Sequence, residues 1–504
     1  MRSSKRGNHG YYRNYTYTSV HPKYNKLKIL GLAGILLAVI CLVILLISIL
    51  RGKTPFIGAT ITYDDSLTEE EKTFLQSTIG DTKPESNLTI SAADTDIAPA
   101  SESAVIYDVL LPTADFYSPN SNTSSTDQTT TFTSIKDLTP AQKVLSLDNN
   151  YYFDDFTHGA KFRVLNFNSN NAGDIPSLIT KKLNLPTKST TLSINQTGVT
   201  ALTRGMINVL NQQNDATYFS AKIKDFLGQA DYTHLSNEVS FADDCSVTST
   251  STTLCSPVAM LDVLKDVDAD IIELTGNHNN DYGTAANLST IETYKKLGLQ
   301  TFGGGATEEE AAKPLEINSK NTHITLLGYN NSASTKANGQ GADGDSPGAN
   351  IYNEATAASD IATAKEKGDF VIVDVQYFEC YSYPEDGGEY PACDSPITGQ
   401  EAFFKHLIDL GADMVVGTQA HHPQTYELYN GKPIYYGLGN LFFDQTYWPG
   451  TTRGYILTHY FHNGKYLQTR ITPHQYDDTY QTNLMDEETA TWFLNRLMAA
   501  HADQ

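Results

Sequence analysis

Apolar and polar positions follow different rhythms along the 504 residues, and each change of rhythm marks a boundary. Ile29–Leu50 is an unbroken apolar run, long enough to cross a bilayer. Phe56–Tyr63, Leu88–Ser91, Ala104–Leu111 and Phe162–Asn166 read as strands. Helices are expected from Ser66, with Glu69 three residues on as a capping partner, and over Leu138–Asp148 and Ile175–Leu185. The Ser/Thr/Asn/Pro-rich run Tyr117–Ser134 reads as a linker or long loop. Residues 54–185 are thus expected to form a small α/β module in which no chemistry-bearing cluster stands out.

From Thr190 onward, strands and helices alternate at the spacing of a layered α/β domain, residues 190–475. Expected strands are Thr190–Asn195, Tyr232–Val239, Ile271–Leu274, Ile324–Tyr329, Phe370–Val375 and Met414–Val416. Expected helices are Gln212–Leu227, Val258–Val267, Thr284–Leu297, Ile361–Lys367 and Gly399–Leu410. Asn430-Gly431 and Asn463-Gly464 then sit between alternating runs, the signature of hairpins. An amphipathic helix over residues 486–500 closes the pattern.

Charge gives the chain a direction. Residues 1–53 carry nine basic and no acidic residues, so the tail 1–28 is expected in the cytoplasm and the rest outside a single-pass anchor at 29–50. Beyond residue 53 there are 26 basic against 58 acidic residues, a balance of −32. Such a surface excludes nucleic acid as a partner and demands a local cationic or metal site for any anionic one. Four cysteines outside the anchor fall as two close pairs, Cys245 with Cys255 and Cys380 with Cys393, spaced for disulfides in an exported chain rather than for zinc.

Polar clusters recur just beyond strands: Ser236-Asn237-Glu238, Asn277-His278 with Asp281, Gln376 to Glu379, Gly417 to His422, and Gly437 to Asn440 with Asp444 and Gln445. Each alone has a plain explanation as a polar turn, a solvated carboxylate or a loop histidine. Their repetition at equivalent places points to one crevice at the carboxyl ends of a sheet. Glu, Asn and His there are the ligand types of a metal site.

Read in order, Asn237-Glu238, Gly276-Asn277-His278 with Asp281-Tyr282-Gly283, Gly411-Ala412-Asp413 to His421, and Pro433 to Asp444 resemble the bacterial capsule-synthesis family called CapA, over roughly residues 190–472. That family is associated with poly-γ-glutamate capsule and resembles calcineurin-like metallophosphoesterases. The resemblance implies an α/β/β/α sandwich of two β-sheets flanked by helices, and a metal-bound amide followed by a histidine near the leaving group. It departs from the family where Thr197-Gly198-Val199-Thr200 lacks an acid and where Gln376 and Gln419 stand for histidines. Amide oxygens are weak neutral ligands, so the site is expected to hold a single divalent cation (Mn, Mg, Fe or Zn) or none. Glu238, Asn277 and His421 are the expected metal ligands, and His278 the general acid, oriented by Asp281. Arg453, Asn440, Gln376 and Gln419 are the expected substrate contacts. The implied protein acts at the cell membrane in synthesis or export of an anionic capsule polymer, alongside membrane synthase subunits. Its rivals are a non-enzymatic scaffold with a decayed metal site and a metal-dependent phosphoesterase unrelated to capsule.

Overall fold

Two sheets face each other across the core, each formed by segments that the sequence marks as alternating or apolar runs. The computed structural model describes residues 58–502 except 102, 169–171, 381–392 and 394. The basic tail 1–28 and the apolar run 29–50 lie outside the described residues. Among the described residues, no helix is long and apolar enough to cross a membrane.

The first sheet runs Gln300–Phe302, Ile271–Glu273, Tyr232–Asn237, Thr191–Thr200, Arg453–His462, Lys465–Gln475, Asn483–Leu484, with Asn440–Phe442 added beside the end of Thr191–Thr200. Its first four strands are parallel, and Arg453–His462 joins them antiparallel. The second sheet runs Leu315–Ser319, Thr322–Asn330, Phe370–Cys380, Met414–Ala420, Lys432–Tyr435, Tyr426–Tyr429, parallel through its middle. Leu192, Ile194 and Ile271 of the first sheet pack with Ile324, Ile372 and Met414 of the second. Helices cover both outer faces: Phe219, Leu264 and Tyr294 pack behind Leu235 and Ile272, and Ile361 and Phe404 behind Val371 and Val415. This is a four-layer α/β/β/α arrangement, and the near-continuous apolar strands are what burial on both faces requires.

The N-terminal module is built on a third, six-stranded sheet. Helices Glu69–Ile79 and Ile175–Leu183 pack on one side of it, and Tyr151, Phe153 and Phe162 lie against Tyr460 and Leu467 of the large domain. Phe153 stacks on Tyr460 at 4.5 Å between ring centres. Three expectations change here. The first helix is capped by Thr68 with Glu71, because the Ser66 hydroxyl instead accepts the amide of Ala92 at 3.0 Å. Leu138–Asp148 is not helical but forms the short strands Gln142–Val144 and Ser146–Leu147, its Leu145 amide taken by Pro112 at 2.9 Å. Tyr117–Ser134 is not a free linker, since Asn122–Thr123 and Thr131–Ser134 both pair as strands. In the large domain, Gln212–Leu227 is broken: the helix Gly205–Gln213 stops at Asn214 with φ of 52°, and Asp215 caps a separate turn. Cys245 and Cys255 are joined as expected. Cys393 is also disulfide-bonded, while the side chain of Cys380 lies outside the described residues.

A polar seam crosses the apolar space between the sheets. Gln196 donates to Asp374 Oδ1 at 2.6 Å, and His234 Nε2 lies 3.0 Å from Asp374 Oδ2. His459 Nε2 donates to Gln196 Oε1 at 2.9 Å, and its Nδ1 meets the Thr469 hydroxyl at 2.7 Å. Burial, reinforced by His234, depresses His459 to about 3, so it is a neutral bridge. Glu273 takes the Ser236 hydroxyl at 2.5 Å and the Thr275 amide at 2.6 Å. Burial first, and then the charge of Asp374, raise the Glu273 carboxyl above the usual range. The fold therefore prefers the protonated acid, and that stabilisation, complete below the ordinary glutamate value, is lost as pH rises through the raised one. Glu273→Gln should accordingly gain melting temperature relative to wild type by roughly 2 °C or more between about pH 5 and about pH 8, read by thermal scans at both values.

Candidate functional site

The ends of five strands close into a ring above the seam. Asn440 pairs with Val199, Asn237 with Thr200, Val239 bridges His278, and from the second sheet Gln376 reaches Asn277 and holds Gln419. His421 returns to Asn440 and completes the circuit. The clusters after separate strands are thus one site, as crevices at the carboxyl ends of strands generally are.

His278 and Asp281 are in contact, with Nδ1 to Oδ2 at 2.6 Å. Asp281 is otherwise held by the Leu254 amide at 2.9 Å on Oδ2 and by Gln340 Nε2 at 2.8 Å on Oδ1. This carboxylate thus receives three donors, with His278 Nδ1 among them. The Leu254 amide belongs to the loop tied off by the Cys245–Cys255 disulfide, and Tyr282 anchors to the same loop through Asp244 at 2.8 Å. Gln340 also receives the Asn280 amide at 2.6 Å. The His278 side chain keeps 24% of its surface exposed, which leaves it open to a ligand.

Opposite it lies an amide knot. Gln376 Nε2 donates to Asn277 Oδ1 at 3.0 Å and to Gln419 Oε1, while Gln376 Oε1 accepts from Asn330 Nδ2 at 2.6 Å. Asn330 Nδ2 also holds the carbonyl of Thr275 at 2.7 Å. Gln419 has φ of 76°, a left-handed conformation that a long side chain adopts only when its surroundings enforce it.

The third side is His421 and Glu238. Asn440 Nδ2 donates to the carbonyl of Thr451 at 3.0 Å, which fixes its Oδ1 as the acceptor for His421 Nδ1 at 2.9 Å. A neutral His421 therefore carries its lone pair on Nε2, the tautomer suited to a metal. Glu238 is 2% exposed, and neither carboxylate oxygen has a hydrogen-bond partner among the described residues. A buried carboxylate in that state calls for a cation. Among the described residues, no group of three or more His, Cys, Asp or Glu side chains is gathered to hold a metal.

Of the expected contacts, Arg453 lays its guanidinium 4.8 Å over the ring of Trp492 in the C-terminal helix, and its charge also bears on His422, beside His421. Residues the sequence did not single out, Asn330, Gln340 and Thr451, turn out to support the ring. Asn330 follows the expected strand Ile324–Tyr329 as Gln376 follows Phe370–Val375, a parallel that was legible, and the two residues pair in the sheet; nothing local marks Gln340. A Cβ on Gly276 would lie 2.9 Å from the Glu238 backbone, so this glycine is what lets the two strands' ends meet. Gly276→Ala should cost about 1–3 kcal/mol in denaturant unfolding, with Glu238 pushed out of place.

Residues 193–445 match the family of bacterial capsule synthesis proteins PGA_cap. The chain is 28% identical over 186 residues to the capsule biosynthesis protein CapA of Bacillus anthracis, covering 36% of this chain and 42% of that one. It is 28% identical over 214 residues to the PGA biosynthesis protein CapA of Bacillus subtilis, covering 42% and 52%. A probable polyglutamine synthesis accessory protein of Mycobacterium tuberculosis is 28% identical over 182 residues, 34% of this chain and 44% of its own. The match spans about half the length of these curated relatives. Among solved structures, the NAD nucleotidase of Haemophilus influenzae overlaps 62% of this chain and 63% of its own at a TM-score of 0.31 and 11% identity. The family match takes in half of the chain and all the strands whose ends build the ring, and the chain belongs to the bacterial capsule synthesis PGA_cap family.

Proposed function

We propose that this chain is a membrane-anchored extracellular component of poly-γ-glutamate or related capsule synthesis or export, and that its ring of strand ends handles an anionic polymer or its precursor beside membrane synthase subunits. Anchoring rests on the apolar run 29–50 and the basic tail before it. The observation that carries the site is Glu238, a buried carboxylate whose two oxygens have no hydrogen-bond partner among the described residues, in the ring that the Asn440–His421 bond closes. Glu238, Asn277 and His421 hold one divalent cation in this scheme, in a metallophosphoesterase-like arrangement. When bound, that cation supplies Lewis-acid polarisation of a substrate oxygen. His278, kept in one tautomer by Asp281, gives or takes a proton from Nε2 at the bond being cut or formed. Asn440 holds His421 in place, and the amide knot holds Asn277.

A second function has its own support. Gln376, Gln419, Asn277 and Asn330 satisfy one another without any ion. A binding scaffold with this half of the site closed by hydrogen bonds needs no turnover. Manganese titration of the full-length protein separates the two. One bound ion is expected, weakened at least about tenfold in Glu238→Gln. His278→Ala should leave manganese binding and the melting temperature in place while cutting hydrolysis of a γ-glutamyl or phosphodiester probe by about 10²–10⁴-fold. Equal ion binding by Glu238→Gln rules out the cation role, and full turnover by His278→Ala rules out the acid.

A further inference from the structure

We infer that Arg204 is the anion-binding residue of this crevice, presenting its guanidinium edge to a carboxylate or phosphate oxygen of the ligand. The inference deepens the polymer-handling function proposed above and rests on it for the source of the anion. Arg204 sits in the turn between the strand Thr191–Thr200 and the helix Gly205–Gln213. Its Nε and Nη2 donate to Asp444 Oδ1 at 2.9 and 2.5 Å, and Asp444 Oδ2 accepts the Gly205 amide at 2.8 Å. The guanidinium lies 4.7 Å from the centre of the Phe443 ring, and Phe443 is 5.3 Å from the ring of His421. One aromatic ring therefore separates this cation from the candidate ligand histidine.

Three features are hard to reconcile with a merely structural ion pair. The backbone of Arg204 has φ of 49° and ψ of −112°, a conformation costly for any residue with a side chain. A cation at a helix N-terminus is opposed by the helix dipole. The Asp444 side chain is 4% exposed, yet the Arg204 side chain keeps 18% of its surface exposed, and Nη1 has no hydrogen-bond partner among the described residues. Asp444 and Phe443 thus grip one edge and one face of a planar fork and leave the other edge open. A fork held this way suits the bidentate geometry of oxyanions. With a balance of −32 beyond residue 53, an anionic polymer needs such a local cation to approach.

The test is equilibrium binding of two probes, a short γ-linked glutamate oligomer and inorganic phosphate, to wild type, Arg204→Gln, Arg204→Lys and Asp444→Asn, each checked by thermal melting. Arg204→Gln should lose at least about tenfold in affinity for the oligomer, with Arg204→Lys intermediate. Asp444→Asn breaks the same pair but leaves the guanidinium, so it should bind as tightly as wild type or tighter. Unchanged binding by Arg204→Gln overturns the inference. So does parallel loss in Arg204→Gln and Asp444→Asn, which is the mark of a structural pair. Arg204-dependent binding of phosphate without binding of the oligomer sustains the anion site while overturning the glutamate polymer as its ligand. Wild type that binds neither probe overturns both.

Discussion

The hydrogen bond from Gln196 to Asp374, with His234 on the opposite carboxylate oxygen, ties the two sheets together inside an otherwise apolar interface. Apolar side chains such as Ile194 and Ile372 drive the sheets together, but apolar packing tolerates sliding and rotation. A buried carboxylate does not. Removing one partner of such a contact costs about 3–5 kcal/mol, because the other is left desolvated and unpaired. The seam therefore sets the register in which the two sets of strand ends meet, and neutral His459 extends it to the strand Lys465–Gln475.

That register explains the geometry above it. His234, Ser236 and Glu238 occupy alternate positions, and the first two reach Asp374 and Glu273 in the seam. Asp374 and Gln376 are related in the same way on the facing strand. Moving two residues along either strand passes from the seam into the site, so what aligns the seam also aligns Glu238 with the amide knot. Glu273 links the two layers directly, since the amide it holds is that of Thr275, at the entrance to Gly276-Asn277-His278.

The site itself combines rigid and open parts. The loop closed by Cys245–Cys255 and the segment around Gln340 brace Asp281 from two sides, while His278 remains partly exposed. Gln376, Gln419, Asn277 and Asn330 are joined by hydrogen bonds among neutral amides. On the other side, Glu238 is buried with no hydrogen-bond partner for either carboxylate oxygen among the described residues. The ring is thus asymmetric: one side closes on itself by hydrogen bonds and the other does not.

Local sequence determined the period-two strands, the Asn-Gly hairpins, the close cysteine pair at 245 and 255, and the polar residues that follow each strand. These depend on side-chain alternation and turn chemistry within a few residues of one another. Leu138–Asp148 misled because its apolar spacing suits either a helix or edge strands, and pairing with Ala104–Asp115 decided between them. Only the tertiary structure decided which polar residues share a site. Arg453 and Arg204 are both lone arginines near a strand end, yet the first stacks on Trp492 and the second lies one ring from His421. The same holds for Gln340 and Asn330, whose partners lie 59 and 46 residues away along the chain. Long-range contacts of this kind arise from how sheets register against each other, a constraint that no window of local sequence contains.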